Sequence, residues 1–208
     1  MRAQLRGQYA GADNLARAAF EFRSSIGNPF AKSIWLLERF AVHWDRGSLR
    51  EVANVTPLPP IWDELLRGLA AVELGARPAA PKLLDRLAAD SDVIPFGSPA
   101  EAFQLALCAE LCSQLAHTTS APVLLQRLAR YEQRTITLND ASVVLGAGAR
   151  YLAMLEVVMG DWDHAERHME MALDTTRRLE SPPWIARTQH DYARMLLARG
   201  AAGDLQRA

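Results

Sequence analysis

A turn residue, usually glycine, followed five positions later by a small side chain and then by apolar residues four and seven further on, recurs along this chain. No other feature constrains its fold as much. The pattern is clearest at Gly160-Asp161-Trp162-Asp163-His164-Ala165, with Met169 and Ala172 at helical spacing after it. Gly7 with Ala12, Ala16 and Ala19 repeats it, as does Gly75 with Ala80, Leu84 and Leu87. Gly47 and Gly200 mark two more turns, and a form without glycine lies near His117. A glycine in the left-handed conformation ends one helix, and a small residue early in the next lets the two backbones approach closely. The pattern therefore predicts helical hairpins, each pressed against the last.

The turns stand roughly 28 to 43 residues apart, the size of two-helix repeats. The expected fold is an all-α, right-handed solenoid of about five antiparallel helical hairpins, one domain over residues 1–208, with incomplete repeats at both ends. Helix starts are strongly marked. Asn28-Pro29 offers a cap with proline at the first helical position, and Ser98-Pro99-Ala100-Glu101 and Ser48-Leu49-Arg50-Glu51 read as capping boxes. Asp161 is placed to cap the helix after Gly160, with Arg177 and Arg178 in its last turn, where positive charge suits the helix dipole. Helices are predicted near 10–25, 29–45, 48–55, 60–74, 79–89, 99–116, 121–132, 141–159, 162–179 and 184–199. No strand is predicted: Thr56 to Pro60, Asp90 to Gly97 and Thr135 to Asp140 read as connectors. Both ends fall in mid-repeat, so a piece of a longer protein is expected, or an oligomer in which the ends pack together.

A net charge of −1 with 23 % charged residues gives no basic excess for nucleic acid. Cys108 and Cys112, the two cysteines, lie in an apolar helical run and read as reduced core thiols. With no apolar leader and no run of about 18 apolar residues, the expected location is the cytoplasm and no membrane contact is expected. His164 and His168 are four apart on one helix, a spacing that suits a metal; opposite the packing face of Ala165, Met169 and Ala172, they are expected in solvent instead. No metal and no cofactor are expected. Arg127, Arg130 and Arg134 line one helical face, which reads as a solvated side because no aromatic residues interleave with them.

The stretch Ala149 to Ala153, then Met159 to His168, then Ser181-Pro182-Pro183-Trp184-Ile185-Ala186-Arg187-Thr188-Gln189 and Asp191-Tyr192-Ala193-Arg194, resembles a known module. It is similar to the tetratricopeptide-like C-terminal region of large bacterial signal-transduction ATPases, those coupled to adenylate cyclase or LuxR-type DNA-binding domains. The likeness is strongest over Asp140 to Ala208. It implies a non-catalytic regulatory or protein-interaction arm, with nucleotide binding in parts not present here; no Gly-x-x-x-x-Gly-Lys-Ser/Thr phosphate loop occurs in the chain. The resemblance also implies that first helices of successive hairpins line a concave ligand-binding side.

That places Arg150, Arg187, His190 and Arg194 as candidates to receive a carboxylate, an acidic peptide or a phosphorylated effector, with Trp44 and Trp62 giving apolar contact. The competing reading has the arginines in salt bridges to Glu156, Asp191 or Glu180 and the tryptophans filling gaps. The alternative function is a small helical-repeat enzyme or biosynthetic accessory protein using the groove as a substrate pocket, with Arg187, His190 and Asp191 as its polar cluster.

Overall fold

The structure is a computed structural model that describes residues 1–51, 58–76, 80–138 and 142–208. Its helices are α1 (Arg2–Leu5), α2 (Tyr9–Ser25), α3 (Ala31–Asp45), α4 (Pro60–Glu73), α5 (Ala80–Ala89), α6 (Glu101–Leu115), α7 (Ala121–Leu128), α8 (Gly148–Met159), α9 (Trp162–Arg178), α10 (Pro182–Arg199) and α11 (Asp204–Arg207). Two short antiparallel strands, β1 (Thr135–Thr137) and β2 (Val144–Ala147), lie between α7 and α8. The protein is thus mostly helical. Gly160 closes α8 at φ 77°, Asp161 Oδ1 accepts from His164 N at 3.4 Å to start α9, and Ala165 and Ala172 are fully buried. At the turn without glycine, Ala116 itself takes the left-handed conformation at φ 49°.

Helices pack on their neighbours along the chain: α2 on α3, α6 on α7, α7 on α8, α8 on α9 and α9 on α10, while α4, α6 and α8 also lie side by side. At the centre is α6, whose residues from Phe103 to Cys112 are buried on every side. A helix apolar all round belongs in the middle of a core. Burial pushes the Cys108 and Cys112 thiols up, as expected of packed, unreactive cysteines.

Contacts also join the two ends of the chain. Gln4 in α1 donates to Val144 O (3.1 Å) and accepts from Val144 N (3.3 Å), Ser181 Oγ donates to Leu5 O (2.8 Å), and Arg187 Nη2 donates to Trp44 O (3.1 Å). An open stack in which each repeat touches only its neighbours has no such contacts. Here α1–α3 fold back onto β2 and α10.

Several local expectations change. Thr135 to Thr137 is not a connector, and residues 144–147 are not helical; β-branched and aliphatic residues around a tight approach form a ribbon instead. Gly148 permits that approach, because a Cβ there would lie 2.0 Å from Tyr131 O. The predicted helix over 48–55 is a single 3₁₀ turn at Leu49–Glu51 as far as it is described. Its remainder, the start of the connector at Thr56 and Pro57, the first residue of the predicted 79–89 helix, Ala79, and residues 139–141 lie outside the described residues. In α3 the helix starts at Ala31, after Asn28 Oδ1 has accepted from Phe30 N (2.8 Å) in a separate turn. The Ser98 capping box is not made: Glu101 accepts from Gly97 N (2.8 Å), and Ser98 Oγ finds no hydrogen-bond partner.

Of the expected solvated face Arg134 and Arg130 are exposed but Arg127 is half-buried, and Arg130 and Arg127 share one acid. Both donate to the fully buried Glu101, Arg127 Nη2 at 2.8 Å, and Tyr131 OH adds a third contact. His168 is half-buried too. It sits between Glu156 Oε2 (2.7 Å) and Glu132 Oε1 (3.0 Å), and the hydrogen bond to Glu156 raises its pKa. His164 is exposed, as expected, beside Asp161.

Candidate functional site

The face made by α6, α8 and α10 carries a buried network of charge. Arg150, two residues into α8 from Gly148, is 1 % exposed; its Nε donates to Asp191 Oδ2 (2.6 Å) and its Nη1 to Glu110 Oε2 (3.1 Å). Its guanidinium lies 5.0 Å from the Tyr151 ring centre and 5.8 Å from that of Trp184. Burial works against charge on both partners, but the attraction prevails: Arg150 is held above its ordinary pKa by Asp191 and Glu110, and Glu110 below its own by Arg150 and Arg187. These groups stay ionised.

One turn along α10 from Trp184, Arg187 lies over two rings, 4.6 Å from the centre of Trp44 and 5.3 Å from that of Trp184. Trp184 is seated by Gly146, where a Cβ would stand 2.5 Å from the indole. Beside Trp44, the Asp45 carboxylate accepts from Gln4 Nε2 (2.9 Å). Burial pushes its pKa up to about 6, partly opposed by Arg187, Gln4 and Arg150.

Two turns beyond Arg187, Arg194 is exposed at the rim of a cleft of ≈ 250 Å³ between α6, α8, α9 and α10. The floor is apolar, built from Met154, Val157, Val158, Met169 and Met195, and Asp191, one turn before Arg194 on α10, also lines the cleft. Methionine is flexible and polarizable, so such a floor adapts to the shape of what enters. Arg194 has no hydrogen bond or ion pair among the described residues.

The six predicted residues therefore separate. Arg150, Arg187 and Trp44 come together around Trp184, and Arg194 lines a cleft that Asp191, a partner of Arg150, also lines. Arg150 is a buried structural cation, so its salt-bridge reading holds, with Glu110 as a partner that the sequence did not suggest. His190 is exposed and is not drawn into the cluster. Trp62 packs on Phe103, ring centres 5.7 Å apart, and fills a gap in the core. The expectation of Met169 on a packing face holds, since it is 1 % exposed, with Met195 and Met154 at 2 and 6 %; that three core methionines lie beneath one opening depends on how three helices cross.

A hydrogen-bonded row elsewhere has the order of a nucleophile relay: Asp85 Oδ1 to His117 Nε2 (3.1 Å) and His117 Nδ1 to Ser120 Oγ (2.9 Å). Ser120 is fully buried and its hydroxyl touches Cys112 Sγ at 3.5 Å, so no substrate reaches it. Among the described residues no three His, Cys, Asp or Glu are grouped to hold a metal, and no helix is long and apolar enough to cross a membrane. Compared with known proteins, the chain matches no family model, no curated protein and no solved structure.

Proposed function

We propose that this chain is a non-catalytic regulatory or protein-interaction module that binds a peptide, a protein partner or a small effector on the α6–α8–α10 face. In this reading its hairpins are tetratricopeptide-like and follow a right-handed solenoid, with α1–α3 folded back on it, and the whole serves a larger cytoplasmic signal-transduction or transcription-regulating ATPase. The observation that carries the proposal is the cleft: a methionine- and valine-lined floor beside an exposed arginine that has no ion partner among the described residues. That combination suits one or two aliphatic side chains next to a carboxylate, the anchor set of an acidic amphipathic helix. The catalytic alternative has less support, because His190, its proposed polar centre, is exposed and apart from the cleft.

The test is a titration of the full chain with a labelled peptide of about twelve residues that carries two leucines one helical turn apart, flanked by glutamates. Saturable binding that falls at least about tenfold in Arg194→Glu supports the reading, since a tenfold change corresponds to ~1.4 kcal/mol, within the range of one charge-assisted contact. Equal binding by the variant rejects it.

Association through the ends is part of the same proposal. Leu15, Phe22, Ile26 and Phe30 on and after α2 are 63 to 66 % exposed, and Leu205 in α11 is 76 % exposed. Mass measured across a dilution series rejects this part if the chain stays monomeric.

A further inference from the structure

We propose that the Arg187 side of α10 is a second peptide site, specific for an aromatic residue followed by a carboxylate, and that the chain's own Trp44-Asp45 occupies it as an autoinhibitory contact. This goes beyond the cleft and does not depend on it.

The contact is made of parts that any peptide supplies. Arg187 stacks on the Trp44 ring at 4.6 Å and donates to the Trp44 carbonyl at 3.1 Å. The buried Trp184 gives the guanidinium a second ring contact at 5.3 Å, one that does not involve Trp44. Asp45 then brings a carboxylate into the field of Arg187 and Arg150. Cation–aromatic stacking, one main-chain acceptor and one acid form a short recognition signature.

The Trp44 ring is 4 % exposed and packed in the core, but the acid that follows it fits incompletely. Asp45 is met by the Gln4 amide at 2.9 Å and, among the described residues, by no cation within 4 Å. Its charge is partly buried without a direct ion partner, a costly arrangement. A partner segment whose acid reached Arg187 itself would gain what Asp45 forgoes. The other ties of α1–α3 to the rest combine the burial of Leu37, Phe40 and Trp44 in the shared core with three hydrogen bonds, Ser181 to Leu5 O and the Gln4 pair with Val144, each of modest net strength in exchange with water.

The probe is a fluorescein-labelled, N-acetylated peptide copying Leu37 to Ser48, titrated by anisotropy into the full chain. Trp44→Ala/Asp45→Asn vacates the site; Gln4→Ala/Ser181→Ala loosens the tie without touching an aromatic residue. Both variants should bind the peptide at least about tenfold more tightly than the unmodified chain, and adding Arg187→Ala to either should abolish the gain. Arg194→Ala, outside this contact, should leave the peptide affinity unchanged, which separates this site from the cleft. Whichever opened variant retains its helical circular dichroism decides the matter; equal affinity of that variant and the unmodified chain, or a gain that survives Arg187→Ala, overturns the proposal.

Discussion

Replacing Arg150 by methionine puts the buried charge network to a quantitative test. Arg150 is 1 % exposed and is the direct ion partner of Glu110 and Asp191, at 3.1 and 2.6 Å. Methionine fills much of the space, so packing changes little, but two carboxylates are left without their cation. Removing one partner of a buried pair costs ~3–5 kcal/mol, a large part of the ~5–15 kcal/mol that stabilises a typical domain. The loss has a signature in pH. In the unmodified chain Glu110 is held below its ordinary pKa, so its contribution is present above the unfolded value and fades as pH falls through the folded one. In the variant the same burial raises the Glu110 carboxyl instead, the folded state takes up a proton more readily than the unfolded, and the deficit shrinks as pH falls. Urea unfolding at pH 7 and pH 5, followed by circular dichroism, measures both effects. Adding Glu110→Gln and Asp191→Asn should recover most of the loss. A loss under ~1 kcal/mol that does not change with pH would refute the buried-network argument.

Other consequences are as direct. Gly146→Ala should destabilise by more than the ~1–3 kcal/mol of ordinary overpacking, because its Cβ would meet Trp184 at 2.5 Å and φ is already 76°; chemical denaturation measures it, and a neutral result would mean that Trp184 is not seated there. His168, with its pKa raised by Glu156, by further hydrogen bonding to Glu132 and by their charges, contributes stability that is complete below the ordinary histidine value and is lost as pH rises through the raised one. The melting temperature of His168→Asn should therefore lie furthest below that of the unmodified chain at acid pH and converge with it at alkaline pH. Asp45 works in the opposite sense: with its carboxyl raised to about 6, the chain gains stability as pH falls from above 6 towards 3.8. Asp45→Asn should remove that dependence and stabilise the chain by ~1–3 kcal/mol above pH 7, less in proportion to the solvent that reaches the side chain; pH-dependent melting curves provide the check.

Much of the helical order was legible because helix ends are written locally. Gly160, Asp161, Ala165 and Ala172 each act through contacts within one hairpin, and each is where the pattern placed it. The ribbon of β1 and β2 escaped because three or four residues carry no period, and because its reason for existing, the approach of Gly148 to Tyr131, is tertiary. The Ser98 box failed for a similar reason: Glu101 had stronger suitors in Arg127 and Arg130, which its own helix does not contain. Arg150, Arg187 and Trp44 were singled out from the sequence, yet nothing local joins α3 to α10 across 143 residues. The fold-back of α1–α3 rests on polar contacts by Gln4 and Ser181, side chains that by themselves read as ordinary surface.

Ligand uptake by the methionine-lined cleft is read at the methionine methyl groups themselves. The chain has six methionines, of which Met154, Met169 and Met195 line the cleft and Met1, Met159 and Met171 do not. Methyl-labelled methionine therefore gives six signals already sorted into a responding and a silent set. Titrating the full chain with the acidic leucine-containing peptide should shift the signals of Met154, Met169 and Met195, leave Met159 and Met171 in place, and lose the response in Arg194→Glu. Shifts confined to the other three methionines, or none at concentrations where the peptide binds, would contradict the account.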